Sequence, residues 1–549
     1  MDQLSEVIII SSIGITISLI NILHVIIGAA RTPAGFIYQA TGHYYLDYFL
    51  YLQAINQGTQ GHILPIEYFN TSEKSFLIIF TPYSFIGFIG RFFGLSPITI
   101  YWLSLFLFVV IFIILIYFFL KKMFEKQNWF YPLWALTVFI TASPFYKISF
   151  YKNNLDLQAY DFWYGPSIFT RRFETVPYHI LSSILILLVI FITVNLWRSF
   201  FYHQSKDLLL KIFLSLSLIF ILVFFSPFNV LTLLLTIVLG TVFYFSKFIL
   251  KSEKEKAKNY FLYGFFVTAG TLLFLILVNQ IYNNVDLFKR VKNLEVNWQE
   301  HVSLSFLLLN IGPMVIFFPF GLPKYFKNLN PAKLFMAILT LISYCLFLSP
   351  VAFYLGTHNL RFFSPLNYIF FSVLTVYGVE KFTKLVRLRK KIFFNFILII
   401  LIGYGVFYNG FTLFKRVLNL DPKTPITSIS YLSKDIINGL IFLKNKENKA
   451  VLTGPSHFIG MVVPLYADKK VYLGREIETP DFAKKQLVVD KFFRGEIDET
   501  EILTIIKKND IGYVVLTSLD GFSPNNLKNY SFLKKIYDNG EIIIWEIVY

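Results

Sequence analysis

One carboxylate in the N-terminal part of the chain stands out because of its surroundings. Asp47 is the only acid between Glu6 and Glu67, and residues 44–52 around it are otherwise tyrosine, leucine and phenylalanine. Read as a helix, the stretch places His43, Asp47 and several amides on one face and aromatic residues on the other. A carboxylate among aromatic groups can have a raised pKa and act as a general base. The alternative is a surface helix with a solvated aspartate.

A second polar group lies farther along the chain, in loop 147–177 and at the start of the apolar run that follows it. It consists of three acids, two adjacent arginines and a histidine: Asp156, Asp161, Glu174, Arg171, Arg172 and His179. Adjacent arginines can hold a phosphate or pyrophosphate through forked hydrogen bonds. The alternative is a plain charge pair beside a membrane helix.

A third group is the short link Thr357–Arg361, which also contains His358. Because Arg361 has no acid in its own link, we expect it to face an anion or a polar cavity. The alternative is a simple anchor at the membrane surface.

Metal binding has little support in the sequence. The 8 histidines form no HxxxH or HExxH arrangement, and the single Cys345 excludes a disulfide framework and a thiolate cluster. Carboxylates from different loops could still hold one Mg²⁺ or Mn²⁺.

The elements that position these groups are membrane helices. Of 549 residues, 56% are hydrophobic and only 15% are charged, whereas a soluble chain has about 25% charged residues. Most of the charge-free runs reach the roughly 20 residues that a helix needs to cross a bilayer. The runs lie at 7–27, 76–95, 98–120, 129–146, 178–197, 208–226, 229–246, 260–281, 303–322, 333–354, 362–379 and 392–413. They predict a polytopic α-helical membrane protein with about 11–13 transmembrane helices.

The net charge of +17 indicates topology and not a nucleic-acid partner. The short loops 121–126, 198–211, 247–258, 324–333 and 380–391 hold 20 Lys/Arg against 5 Asp/Glu, a net of +15. Basic loops of this kind stay on the cytoplasmic side. The rule places the other loops, above all 28–75 and 147–177, and everything after about residue 414 outside the plasma membrane.

Two apolar runs need separate interpretation. Run 76–95 contains Pro82, Gly87, Gly90 and Arg91, so we interpret it as an interfacial or re-entrant segment that leaves loop 28–75 outside. The first run lacks a basic flank, because only Asp2 and Glu6 precede it as charged residues, and we expect a retained helix and not a signal peptide.

The last part of the chain has the composition of a soluble domain. Residues 414–549 contain 19 Lys/Arg and 17 Asp/Glu, and their periodicity predicts a small α/β domain after a membrane domain at 1–413. Helices are expected at 433–446, 455–466, 480–493, 499–508 and 530–537, and strands at 449–453, 471–473, 513–517 and 542–548. No GxGxxG or GxxxxGK[ST] motif supports a nucleotide site.

Taken together, the chain resembles the GT-C superfamily of integral-membrane glycosyltransferases, which includes the protein O-mannosyltransferase and aminoarabinose transferase groups. The resemblance covers nearly the whole chain and depends on Tyr45-Leu46-Asp47-Tyr48 with Gln57-Gly58, Pro177-Tyr178-His179, Val471-Tyr472-Leu473-Gly474-Arg475 with Thr479-Pro480-Asp481, and Phe492-Phe493-Arg494-Gly495.

The resemblance implies a polyprenyl-phosphate-linked sugar donor and a protein, glycan or lipid acceptor reached from the outer face. The family's first-loop acid matches Asp47, which would deprotonate the acceptor hydroxyl. The second acid of the family's usual Asp-Glu pattern is missing, because residue 48 is tyrosine. Glu67, Asp161 or Glu174 would have to supply that role.

The sequence therefore predicts an inverting membrane glycosyltransferase with Asp47 as its base. Its predicted substrate- and phosphate-binding residues are His43, Arg171, Arg172, His179, His358 and Arg361. One alternative is a ligase that moves a whole lipid-linked glycan. Others are a lipid or polysaccharide transporter (flippase) and a sensory or structural membrane protein whose tail binds a partner.

Overall fold

The structure is a computed structural model that describes residues 3–41, 45–71, 76–125, 127–151, 154–163, 165–173, 176–199, 205–327, 329–386, 390–418 and 430–548. The first elements are α1 (Gln3–Ala30), β1 (Phe36–Tyr38), α2 (Tyr45–Thr59), α3 (Thr81–Arg91), α4 (Pro97–Met123), α5 (Phe130–Thr141), β2 (Tyr146–Tyr151), β3 (Asn154–Ala159), α6 (Phe169–Arg172), α7 (Pro177–Ser199), α8 (Ser205–Val223), α9 (Pro227–Leu250) and α10 (Lys254–Asn283).

The chain continues with α11 (Asp286–Glu295), α12 (Leu304–Ile311), α13 (Phe318–Lys327), α14 (Pro331–Leu348), α15 (Val351–Leu355), α16 (Asn367–Leu385), α17 (Lys390–Leu418), β4 (Tyr431–Ser433), α18 (Lys434–Lys444), β5 (Ala450–Thr453), α19 (His457–Tyr466), α20 (Phe482–Arg494), α21 (Glu499–Lys508), β6 (Ile511–Thr517), β7 (Leu533–Asp538) and β8 (Ile542–Ile547).

The apolar runs form helices, which confirms the prediction of a polytopic helical membrane protein. Seven helices of the described residues are long and apolar enough to span a bilayer: Leu4–Ala30, Pro97–Met123, Pro177–Leu196, Pro227–Leu250, Lys254–Asn283, Pro331–Leu348 and Ile392–Leu418. The pair Leu304–Ile311 and Pro313–Lys327, bent by 99°, would be an eighth span. The predicted 11–13 spans exceed this number, partly because α3 has only 11 residues and α5 only 12.

The chain divides into two compact units. The first unit contains residues 1–21, 105–284 and 292–415, and the second contains residues 22–104, 285–291 and 416–549. The second unit therefore combines the first predicted outer loop with the predicted C-terminal domain.

Within the second unit, the first loop and the C-terminal domain are in direct contact. Strand β1 pairs antiparallel with β4, and Val471 N donates a hydrogen bond to Tyr68 O at 2.8 Å. Helix α3, about 16 Å long, is too short to cross the roughly 30 Å hydrocarbon layer. The loop and the C-terminal domain therefore lie on one side of the membrane, and the outer side remains a prediction from the charge distribution.

The C-terminal domain contains a four-stranded sheet in the order β5-β6-β8-β7. Strands β5 and β6 are parallel, and the other pairs are antiparallel. Apolar side chains of the sheet and of helices α20 and α21 form its core, among them Leu452, Phe492 and Val514. The expected α/β architecture is present.

The helix predicted at 530–537 is wrong, because Leu533–Asp538 is strand β7. The dipeptide Asn539-Gly540, with Gly540 at φ +87°, connects β7 to β8 and is a typical hairpin turn that the sequence analysis overlooked. The strand predicted at 471–473 is reduced to a single parallel bridge between Val451 and Val471.

Close packing of α2 on α3 gives a stability prediction. A Cβ atom on Gly87 would lie 2.2 Å from Ile55 O, whereas a Cβ on Gly403 of α17 would meet nothing within 4 Å. We expect Gly87→Ala to destabilise the protein by about 1–3 kcal/mol, because the two backbones would have to separate. Thermal unfolding of the purified protein measures this, with Gly403→Ala as the matched control. Equal unfolding temperatures for both variants would contradict the packing.

Candidate active site

Asp47 lies in the first turn of α2, on a helix whose other side chains hold it in place. Tyr48, Phe49 and Leu50 are buried, and so are Gln53 and Gln57 of the predicted polar face. Gln57 Nε2 donates to Ile66 O at 3.0 Å, and Ile66 N donates back to Gln57 Oε1 at 2.8 Å. Helix α2 is therefore an embedded element and not a solvated surface helix. The Asp47 side chain is still 35% exposed.

An arginine from the C-terminal domain holds Asp47. Arg475 Nη2 donates to Asp47 Oδ1, and Nη1 donates to Glu478 Oε1 at 2.6 Å. The loop that carries the arginine is closed on itself, because Gly474 N donates to Thr479 Oγ1 at 3.1 Å and Thr479 N donates to Arg475 O at 2.8 Å. One rigid guanidinium thus orients two carboxylates from distant parts of the sequence.

Glu67, a predicted second acid, belongs to the same network. It is buried, and its Oε1 accepts a hydrogen bond from Phe69 N at 2.8 Å. Burial, helped by the neighbouring carboxylate of Glu478, raises the pKa of Glu67 to about 8. The pKa of Glu478 is also raised, mainly by burial, against the lowering effect of Arg475. Glu67 therefore holds its proton at neutral pH and can donate a hydrogen bond.

Two more cations belong to this part of the second unit. Arg290 donates from Nε to Ile477 O at 3.4 Å and from Nη2 to Glu478 O at 3.2 Å. Lys485 of α20 places its Nζ 4.9 Å from the centre of the Tyr472 ring.

Four residues of this network were not predicted as site residues: Arg475, Glu478, Arg290 and Lys485. The signal for Arg475 was available, because Val471–Arg475 is one of the stretches that carry the family resemblance. Nothing in their local sequence marks Glu478 and Arg290, since their role depends on contacts between separate segments.

In the first unit, Asp161 and Arg171 form a pair. Arg171 Nη1 donates to Asp161 Oδ2 at 2.6 Å and to Phe162 O, and Asn310 Nδ2 donates to Tyr160 O at 3.1 Å. Burial raises the pKa of Asp161 and outweighs the opposite effect of Arg171. The structure thus places the predicted acid and the predicted arginine side by side.

Arg172 is fully buried and bound by the main chain. Its Nε, Nη1 and Nη2 donate to five backbone carbonyls at 2.8–3.1 Å: Pro166, Phe139, Ile140, Ala142 and Ser167. An arginine has five N–H donors, so every donor of Arg172 has a carbonyl acceptor. Arg172 was predicted to bind a phosphate, but in the structure its N–H groups are all bonded to carbonyls.

Arg361 has a partner from another element. It donates from Nε to Glu295 Oε2 at 3.2 Å and from Nη2 to Glu295 Oε1, and Thr357 Oγ1 donates to the same carboxylate at 2.6 Å. Burial opposes ionisation of Glu295, but Arg361 holds its pKa below the usual value. The expectation that Arg361 faces an anion is thus met by an acid of the chain itself.

His358 is buried beside Trp163, with ring centres 5.2 Å apart, and burial lowers its pKa to about 3.

The remaining predicted residues give less information. His43 and Glu174 lie outside the described residues. His179 is in the first turn of α7, where its ring lies 4.1 Å from that of Tyr178.

In the structure, the carboxylates of Asp47 and Glu478 are paired with Arg475. Among the described residues, no group of three His, Cys, Asp or Glu side chains is arranged to hold a metal ion.

The described residues thus combine apolar helices long enough to span a membrane, an acid-bearing first loop and a C-terminal α/β domain. The oligosaccharyltransferase AglB from Archaeoglobus fulgidus has a similar structure. Its apo form matches 93% of this chain and 69% of its own, at 11% identity and a TM-score of 0.54. Its complex with an inhibitory peptide and a dolichol-phosphate matches 92% and 69%, at 11% identity and a TM-score of 0.51.

ArnT from Cupriavidus metallidurans bound to undecaprenyl phosphate matches 99% of this chain and 98% of its own, at 11% identity and a TM-score of 0.49. No protein-family model matches the chain, and no curated protein matches its sequence. The similarity to AglB confirms the expected GT-C resemblance at the level of the fold.

Arg172 provides the first test of this description. Replacing it with methionine leaves five buried carbonyls without their donor, so we expect Arg172→Met to destabilise the protein by more than about 3 kcal/mol. Thermal unfolding measures the loss. A variant of wild-type stability that only binds a lipid phosphate more weakly would instead support a ligand role.

Glu67 makes protein stability depend on pH. Its pKa is about 8 in the folded protein against 4.5 for an ordinary glutamate, so the folded state binds the proton more tightly. Stability should therefore fall as pH rises from about 4.5 to about 8. Thermal unfolding measures stability across this pH range. The stability of Glu67→Gln should fall less steeply with pH than that of the wild-type protein, whereas the stability of the exposed control Glu476→Gln should change as in the wild type. Parallel curves for all three proteins would contradict the burial of Glu67.

Proposed function

We propose that the protein transfers a sugar from a polyprenyl-phosphate carrier to an acceptor hydroxyl at the outer face of the membrane. The fold supports this proposal, since AglB, which has the same fold, was determined in complex with a dolichol-phosphate. The observation that carries it is the state of Asp47, which is partly exposed and oriented by Arg475, whose side chain is 11% exposed.

The chemistry needs one base and one leaving group. Asp47 accepts the proton of the acceptor hydroxyl, the hydroxyl oxygen attacks the anomeric carbon, and the bond from that carbon to the phosphate oxygen breaks. The lipid phosphate leaves with the electron pair. A single displacement of this kind inverts the anomeric configuration.

Within the Asp47 network, the carboxyls differ in exposure and therefore in role. Glu67 and Glu478 are buried, and Glu67 is neutral at pH 7. Asp47 is the partly exposed member, which a substrate can reach. We assign Asp47 as the base and Glu67 as the second acid of the site, with Arg475 as a positioning residue.

The other residues that were predicted from the sequence take no part in the proposed proton transfer. Asp161 and Arg361 each already have a charged partner in the first unit, so we give them no step. His179 and His358 stay predictions as substrate-binding residues. We place the site at the outer side because the positive-inside rule assigns the basic loops to the cytoplasmic side, and no step is assigned to a metal ion.

Replacement of the base gives the decisive test. Asp47→Asn keeps the size of the side chain and a hydrogen-bond acceptor for Arg475 but removes the proton acceptor, so transfer should fall by about 10²–10⁴-fold. Sugar transfer from a lipid-linked donor by the purified protein measures this, with donors carrying a monosaccharide or an oligosaccharide to separate a transferase from a glycan ligase.

The exposed acid Asp510 of the same unit offers a matched control, because Asp510→Asn changes the same chemical group away from the network. Full activity of Asp47→Asn would refute the assignment of the base. Lipid movement without glycosyl transfer in the wild-type protein would favour a transporter.

A further inference from the structure

Two cations of the second unit lie beside the Asp47 network and are not used by the proposed proton transfer. Arg290 is fixed by two main-chain carbonyls, Ile477 O at 3.4 Å and Glu478 O at 3.2 Å. Glu478 is also the ion-pair partner of Arg475. Arg290 and Arg475, the arginine that holds Asp47, therefore contact the same residue.

The ammonium group of Lys485 is unusual for a buried cation. Its Nζ is buried, and it has no hydrogen-bond partner among the described residues. The contact that it does make is with the Tyr472 ring, at 4.9 Å. An ammonium carries three donors, and burying them without an acceptor costs free energy.

The charge of Arg290 acts on Lys485. Burial lowers the pKa of Lys485 to about 8, Asp481 opposes this shift, and the charge of Arg290 adds to it. A buried ammonium without an acceptor, in the field of a second cation, is an arrangement that a bound anion would relieve. A phosphate group supplies several oxygen acceptors and the required negative charge.

We propose that Arg290 and Lys485 bind the phosphate of the lipid carrier next to Asp47. This inference rests on the proposed function, because that function places a lipid phosphate at the site as the leaving group. Arg290 keeps N–H donors beyond the two used by the carbonyls, and Lys485 contributes an ammonium without a competing carbonyl. The predicted arginines of the first unit are not required for this contact.

Binding of undecaprenyl phosphate to the full-length protein in lipid nanodiscs tests the site. Lys485→Gln and Arg290→Gln should each weaken binding by about tenfold or more. Matched controls lie on the same helices, since Lys484 neighbours Lys485 and Lys289 neighbours Arg290, and both are exposed. Lys484→Gln and Lys289→Gln should bind as the wild-type protein does, and Lys485→Arg should retain most of the affinity.

Two further ligands identify what is recognised. Undecaprenol, which lacks the phosphate, should bind all variants equally and more weakly than undecaprenyl phosphate binds the wild-type protein. Competition by inorganic phosphate would show that the headgroup alone is recognised. Its failure to compete, with Lys485 still required, would show that the lipid tail contributes, and both results support the site.

Other outcomes would overturn the inference. Equal binding of undecaprenyl phosphate by Lys485→Gln and Lys484→Gln would do so, as would equal affinity of the wild-type protein for undecaprenol and its phosphate. If Lys485→Gln does not fold, Arg290→Gln against Lys289→Gln decides the question. Asp47→Asn should still bind the lipid phosphate, so a wrong assignment of the base and a wrong phosphate site give different results.

Discussion

The arrangement of the candidate site depends on one ion network, in which Arg475 pairs with Asp47 and Glu478. A charge that is withdrawn from water needs a partner, and Arg475 supplies one both to the buried Glu478 and to the partly exposed Asp47. Asp47 comes from the first loop and Arg475 from the C-terminal domain. Their pairing therefore ties α2 to the loop after Val471, and the contacts of β1 with β4 reinforce the same junction.

The same requirement explains the charged residues of the first unit. Arg171, Arg172 and Arg361 attract attention in the sequence because the positive-inside rule does not call for them. Each has acquired a different kind of partner: Asp161 for Arg171, main-chain carbonyls for Arg172, and Glu295 for Arg361. An arginine in a loop that is not expected to be basic can therefore have an acceptor within the chain, and the sequence alone does not separate this case from a ligand-binding arginine.

What could be predicted follows from the range of the interactions involved. Apolar runs and the alternating pattern after residue 414 are local signals, and they correctly indicate the apolar helices and the α/β domain. Asp47 was also identifiable, because an isolated acid among aromatic residues is visible in one short stretch. Its partner Arg475 lies 428 residues away, and no local pattern links them. Strand β7 was missed for another reason, since Asn539-Gly540 is a local signal that the helical periodicity of 530–537 obscured.

A cation lowers the proton affinity of a neighbouring carboxylate, so Arg475 by itself would oppose the role of Asp47 as a base. Arg475, however, divides its donors between two acids, and Glu478 accepts one of its Nη groups at 2.6 Å. Glu67 stays neutral at pH 7, so it adds no further negative charge to the network. Glu478 therefore holds the guanidinium of Arg475 in place. The guanidinium in turn holds Asp47 in one orientation, and part of the Asp47 side chain remains exposed. A base needs both properties: a fixed direction towards the acceptor hydroxyl and a free lone pair to take its proton.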